Sequence, residues 1–278
     1  MTDVRAQLHD RLVAMGLEAR EARWIAEEFV PANDPDFVHA AIVAAQRRLS
    51  GEPLQYVLGH WPFRSLDLDV DPRVLIPRPE TEELVDVALH ELAASAVSAP
   101  VIADLGTGSG AIILSIVSEL RDRGVAATGV AVDASPDALA VARRNALKHR
   151  VLTVSMVTSS WWENVDVSLR GHFDLVVSNP PYIGEEEMSA LDAALHYEPR
   201  SALVARDARG TSGLFDIEEI LRTTGPWLAP RGVLILEHGF AQGAATRELA
   251  AECGFVEVRT EKDLAGHDRF LVAKGKSA

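Results

Sequence analysis

From Thr81 onward the chain alternates short apolar runs with longer stretches of helical period, and this alternation restricts the fold more than any other feature. Strand-like runs stand at 101–105, 129–132, 151–157, 173–177 and 233–236, while helical spacing fills 82–93, 110–120 and 135–146. Strands that are apolar throughout suit burial on both faces, and strands separated by helices form a mainly parallel sheet. After a helix containing 247–253, strand-like 256–260 and 269–273 come one directly after the other, which predicts an antiparallel edge pair. The expectation is an α/β fold with helices on both faces.

The earlier residues read differently. Val4, Leu8, Leu12 and Met15 recur at helical spacing before Gly16, and a second helix fits 21–30. A third is expected to open at Asp34-Pro35 and run to Leu49. Between 63 and 70 apolar and polar residues alternate, so a strand is expected there, with Asp71-Pro72 turning the chain and 74–76 returning as its partner. The domain expectation is a helical bundle over 1–52, a β-hairpin linker over 53–80 and an α/β domain over 81–278.

Composition removes several classes. Among 278 residues, 47% are hydrophobic and 24% charged, as in an ordinary soluble enzyme. The N-terminus has no basic start with an apolar core behind it, and no apolar run approaches a membrane span, so a cytoplasmic protein is expected. The single cysteine, Cys253, permits no internal disulfide, and no metal-ligand spacing occurs. A net charge of −14 weighs against a dedicated nucleic-acid binder, which needs surplus Lys and Arg along its groove.

Chemistry concentrates at the carboxyl ends of the expected strands, where ligands bind in open α/β sheets. Asn179-Pro180-Pro181-Tyr182 succeeds one of them. Its prolines end the strand, and the Asn179 side-chain oxygen and the Pro180 carbonyl offer two acceptors beside the Tyr182 ring. Such a cradle suits a planar NH2 group on an amide or a nucleobase, although taken alone the tetrapeptide reads equally as a rigid turn. Gly106-Thr107-Gly108-Ser109-Gly110 stands at an earlier strand-to-helix turn, without the spacing of a pyrophosphate site. Asp133 ends the next strand, placed to accept from ribose hydroxyls. Together these point to S-adenosylmethionine and transfer of its methyl group to a planar nitrogen.

The chain resembles the HemK/PrmC family of glutamine methyltransferases. The resemblance lies in 53–59 (PLQYVLG), 75–82 (LIPRPETE), 104–110 (DLGTGSG), 179–183 (NPPYI), 198–203 (EPRSAL) and 236–239 (LEHG). It implies a Rossmann-like class I methyltransferase domain behind a small helical domain and a hairpin linker. It implies that Gly106, Thr107, Gly108, Ser109 and Gly110 wrap the methionine end of S-adenosylmethionine, and that Asp133 holds the ribose. Trp161 matches the position beside adenine, whereas Trp162 is expected to pack. Ser160 stands where many relatives carry an acid that bonds the adenine amino group.

By the same resemblance Asn179, Pro180, Pro181 and Tyr182 bind the glutamine amide of peptide-chain release factors, in a Gly-Gly-Gln motif. Asn179, Pro180 and Tyr182 carry the catalytic expectation. Asn179 borders the cofactor as well. Arg78 and Glu80 are expected to close over the cofactor, and Glu237 and His238 to be structural. The competing acceptors are a ribosomal-protein glutamine and an adenine amino group of DNA or RNA. A non-catalytic scaffold would have lost the glycines or Asn179, and both are intact.

Overall fold

The computed structural model describes residues 3–30, 34, 37–190, 193–206 and 213–275. Helices α1 (Val4–Ala14), α2 (Ala19–Phe29) and α3 (Val38–Leu49) form the N-terminal bundle. Asp3 caps α1 by accepting from the Ala6 N–H, and Gly16 leaves it with a φ of 109°. Leu8, Leu12 and Ile25 meet Ala41, Ala44 and Ala45, whose small side chains let α3 approach closely. The third helix thus begins at Val38, not at Asp34-Pro35; Pro35 lies outside the described residues.

A short helix, α4 (Leu54–Leu58), joins the bundle to a β-hairpin. Leu54 and Val57 belong to the bundle core, whereas Tyr56 packs with Val70 and Ile76 and donates its hydroxyl to the Val74 carbonyl at 2.6 Å. The hairpin is displaced from its expected place. Its strands are β1 (His60–Phe63) and β2 (Leu66–Asp69), and the turn is Arg64-Ser65. The expected single strand over 63–70 is broken because Arg64 takes a φ of 53°. Arg64 is held there by ion pairs to Glu119 at 2.8 Å and Asp86 at 2.7 Å. Residues 74–76 form no strand.

The remaining chain is a seven-stranded sheet of order β5-β4-β3-β6-β7-β9-β8. In chain order the elements are α5 (Pro79–Ser95), β3 (Val101–Leu105), α6 (Ala111–Asp122), β4 (Thr128–Asp133), α7 (Pro136–Lys148), β5 (Val154–Thr158) and β6 (Phe173–Ser178). Then come α8 (Arg200–Leu203), α9 (Phe215–Thr224), β7 (Leu228–Glu237), α10 (Gly243–Glu252), β8 (Val256–Lys262) and β9 (Asp268–Lys274). β5, β4, β3, β6 and β7 are parallel, and β9 pairs antiparallel with both β7 and β8.

Alternate residues of the apolar strands feed opposite faces. Ile102, Ala131, Leu175, Val177 and Ile235 pack with α5 and α6, while Ala103, Val130, Val132, Val176 and Leu234 pack with α9 and the Trp162 side. Chain order runs from β3 outward to β5 and then returns to β6 on the other flank of β3. The loops after β3 and β6 therefore diverge, and a crevice opens between them at the carboxyl edge.

Candidate active site

The glycine turn after β3 is fastened to β4. The Gly106 and Thr107 N–H groups donate to the Val132 carbonyl at 2.8 and 2.9 Å, and the Gly108 N–H donates to Asp133 Oδ2 at 2.9 Å. Gly110 has a φ of 84°, and a Cβ there would stand 2.8 Å from Leu114 Cδ1, so a side chain at this position would be strained and would displace Leu114. The side chains of Thr107 and Ser109 are buried, facing away from the crevice floor made by Gly106 and Gly108. Thr107 Oγ1 donates to Asp104 Oδ2 at 2.6 Å. Asp104 is fully buried, and burial pushes its carboxyl up to about 7. Behind the turn, Asn145 donates to the Ser109 carbonyl at 2.9 Å and accepts from the Asp69 N–H at 2.7 Å, which ties the hairpin to the glycines.

Asp133 accepts from Ser135 N at 2.9 Å through its other oxygen. Burial raises its carboxyl from the ordinary range, while these two N–H groups favour the ionised form. The cleft it lines holds about 250 Å³, with Gly106, Gly108, Ser160, Trp161 and Pro181 among its walls. A Cβ on Gly106 would meet the edge of the Trp161 ring at 3.6 Å, which places that ring over the turn. Trp162 does something else: it is buried, stacks on Trp227 at 4.6 Å and donates Nε1 to Thr224 at 3.0 Å. The sequence reading missed Arg206 and Asp216. The Arg206 guanidinium lies over Trp161 and pairs with buried Asp216 at 2.8 Å, and both line the cleft.

Asn179 lies where this cleft meets a smaller cavity of about 190 Å³. Leu75, Asn179 and Ala202 line both; Arg78, Tyr182 and Leu195 line only the smaller one. Asn179 Nδ2 donates to Thr81 Oγ1 at 3.2 Å, which leaves Oδ1 as the acceptor for an incoming N–H. Pro180 is buried and Pro181 lines the larger cleft. Burial raises the Tyr182 phenol well above its ordinary value, and the neighbouring Glu237 carboxylate adds to this, so the hydroxyl stays protonated. It reaches Glu237 Oε1 at 3.4 Å. The Tyr182 carbonyl accepts from Gln242 Nε2 at 3.0 Å, and Gly213 packs so closely on that carbonyl that a Cβ would stand 2.0 Å away.

The linker bears on the same place. Glu198 is buried, pairs with Arg78 at 2.6 Å and accepts from the Ile76 N–H at 2.9 Å, which pins 76–78 to the loop before α8. Arg78 lines the smaller cavity and not the larger cleft, and Glu80 is exposed. Neither is among the residues lining the larger cleft. His238 is fully buried with Nδ1 donating to the Gly239 carbonyl at 2.9 Å, and burial lowers its ring below the ordinary value. Glu237 is buried as well, and Thr81 Oγ1 donates to its Oε2 at 2.7 Å, one bond from Asn179. Among the described residues no cluster of metal-ligating side chains occurs.

The cleft fits a nucleoside-bearing methyl donor: a glycine floor open to close approach, an acid at the end of β4 and an aromatic ring beside them. Comparison with known proteins agrees. The family model "Methyltransferase small domain" matches residues 84–203. A protein of Aliivibrio fischeri named release factor glutamine methyltransferase is 42% identical over 82% of this chain and 76% of its own length. The protein of that name in Burkholderia pseudomallei is 38% identical over 96% of this chain and 92% of its own length. The crystal structure of a methyltransferase from Pyrococcus furiosus shares the fold with a TM-score of 0.54 at 17% identity, over 84% of this chain and 98% of that one. On this similarity, the chain belongs to the release factor glutamine methyltransferase family.

Proposed function

We propose that this protein methylates the side-chain amide nitrogen of the Gly-Gly-Gln glutamine of peptide-chain release factors, with S-adenosylmethionine as methyl donor. The observation that carries the reading is the position of Asn179 at the junction of the cleft lined by the glycine turn and Asp133 with the smaller cavity lined by Tyr182. When bound, S-adenosylmethionine supplies an electrophilic methyl group on a cationic sulfur. Gly106 to Gly110 and Asp133 hold its amino-acid and ribose ends, and Trp161 lies against adenine. Asn179 Oδ1 and the Pro180 carbonyl accept the two N–H bonds of the glutamine amide, and Tyr182 fixes its plane. An amide nitrogen is a poor nucleophile, so most of the acceleration comes from holding it in line with the methyl carbon. Those acceptors also draw electron density onto nitrogen as the N–C bond forms and the C–S pair departs on sulfur. The amide then gives up one proton to water.

The bundle of 1–52 and the linker of 53–80 serve to recognise the protein substrate. Tyr197 supports this, because its hydroxyl donates to the Ser50 carbonyl at 2.9 Å and links the bundle to the loop carrying Leu195 of the smaller cavity. The acidic balance of the chain favours a protein acceptor over nucleic acid. No described helix is long and apolar enough to cross a membrane, and the reaction belongs to the cytoplasm, where release factors act. Labelled methyl transfer from S-adenosylmethionine tests the reading, with release factor, a release factor lacking that glutamine, ribosomal protein and DNA as acceptors. Label confined to the intact release factor is expected; label on DNA or ribosomal protein alone overturns it.

A further inference from the structure

Thr81, in α5, stands between two groups remote from it in sequence: Glu237 Oε2 at 2.7 Å and Asn179 Nδ2 at 3.2 Å. A hydroxyl carries one proton, and an ionised carboxylate can only accept. The Thr81 proton therefore goes to Glu237, and only lone pairs remain toward Asn179. Lone pairs are satisfied by the NH2 end of the Asn179 amide and not by its oxygen. We infer that Glu237 is a positioning residue for methyl transfer, which acts through Thr81 to hold Asn179 with its oxygen toward the substrate amide. This rests on the proposed methylation of a glutamine amide.

The chemical reason is that the two ends of an asparagine amide are nearly equal in shape and opposite in hydrogen-bonding sense. A reversed Asn179 would present a donor to the substrate N–H, leaving both groups without a partner in each other. The fold bears a cost to prevent this. Glu237 is 1% exposed, and no cation makes a direct bond to it among the described residues. Tyr182 faces it from the loop after β6, Arg269 from β9 favours its charge, and Glu80 from the start of α5 opposes it. Burial pushes the carboxyl up to about 7. Once protonated, it can itself donate, and Thr81 is released to turn its proton toward Asn179. The polarity of the relay is thus present above neutrality and fades below it.

Full-length protein with S-adenosylmethionine and purified release factor tests the inference. Thr81→Val removes the relay and should lower kcat by about tenfold to a hundredfold with cofactor affinity near wild type, beside a lower melting temperature from the unpaired Glu237 carboxylate. Thr81→Ser restores the hydroxyl and should restore most of kcat. The wild-type kcat should fall on the acid side of neutrality, and Glu237→Gln should lose that limb. By NMR, the Asn179 side-chain amide signals should titrate near neutrality in the wild type and stay flat in Glu237→Gln. Unaltered kcat in Thr81→Val, failure of Thr81→Ser, or an acid limb retained by Glu237→Gln overturns the inference. If the wild type leaves release factor unmethylated, the functional reading falls by itself. The NMR titration still decides, because Asn179 signals that stay flat in the wild type overturn the relay.

Discussion

Asp133 Oδ2 accepts the Gly108 N–H at 2.9 Å, so the acid ending β4 also sets the shape of the turn ending β3. One task of this carboxylate is to hold the glycine floor, and in the proposed function it meets the ribose as well. An amide there has one acceptor for the two N–H groups of Gly108 and Ser135. Asp133→Asn should raise the dissociation constant for S-adenosylmethionine by about tenfold or more, measured by calorimetry. Affinity equal to wild type would remove Asp133 from the site.

The adjacent tryptophans should separate under mutation. Trp161 lines the cleft over Gly106, whereas Trp162 is buried against Trp227 and Phe173. Trp162→Ala should cost about 3–5 kcal/mol of unfolding free energy in a denaturant titration. Trp161→Ala should weaken cofactor binding with a much smaller loss of stability. The reverse pattern would contradict the assignment.

Glu198 should behave as a buried half of an ion pair. Its side chain is 2% exposed and also accepts the Ile76 N–H. Glu198→Ala leaves that N–H and the Arg78 guanidinium without their acceptor, and should destabilise the protein by about 3 kcal/mol. A melting temperature equal to wild type would count against it.

Stability should depend on pH through Glu237. Its carboxyl is raised from an ordinary 4.5 to about 7 by burial, so the folded state holds the proton more tightly than the unfolded one. The resulting stabilisation is complete below the unfolded value and is lost as pH rises through about 7. Glu237→Gln keeps the shape without ionising. Relative to wild type it should gain stability between about pH 5 and pH 8, monitored by thermal unfolding across that range. Parallel curves would show that Glu237 does not titrate in the fold.

Features written in local sequence were legible, and those made by distant contacts were not. The β3, β4 and β6 runs could be read because strands buried on both faces are apolar throughout, and 256–260 with 269–273 fell on the antiparallel pair β8 and β9. The hairpin was misplaced because its turn is Arg64-Ser65, which carries no glycine or asparagine; ion pairs from α5 and α6 hold Arg64 at positive φ. Glu237 was read as structural, and its link to Asn179 was hidden because its partner Thr81 lies 156 residues away. The nearest signal was that each sits within a stretch resembling a family motif. Arg206 and Asp216 carried no motif at all.

In the proposed function Asn179 accepts a glutamine amide of a release factor at the edge of the cleft that takes the methyl donor. Tandem mass spectrometry of release factor treated with wild type or Asn179→Ala, beside calorimetry of S-adenosylmethionine binding to both, tests it most directly. A methyl group on the amide of the Gly-Gly-Gln glutamine with wild type, its absence with Asn179→Ala, and similar cofactor affinity for both are expected. Methylation by Asn179→Ala at the wild-type rate, or a wild-type methyl group on another residue, would contradict the account.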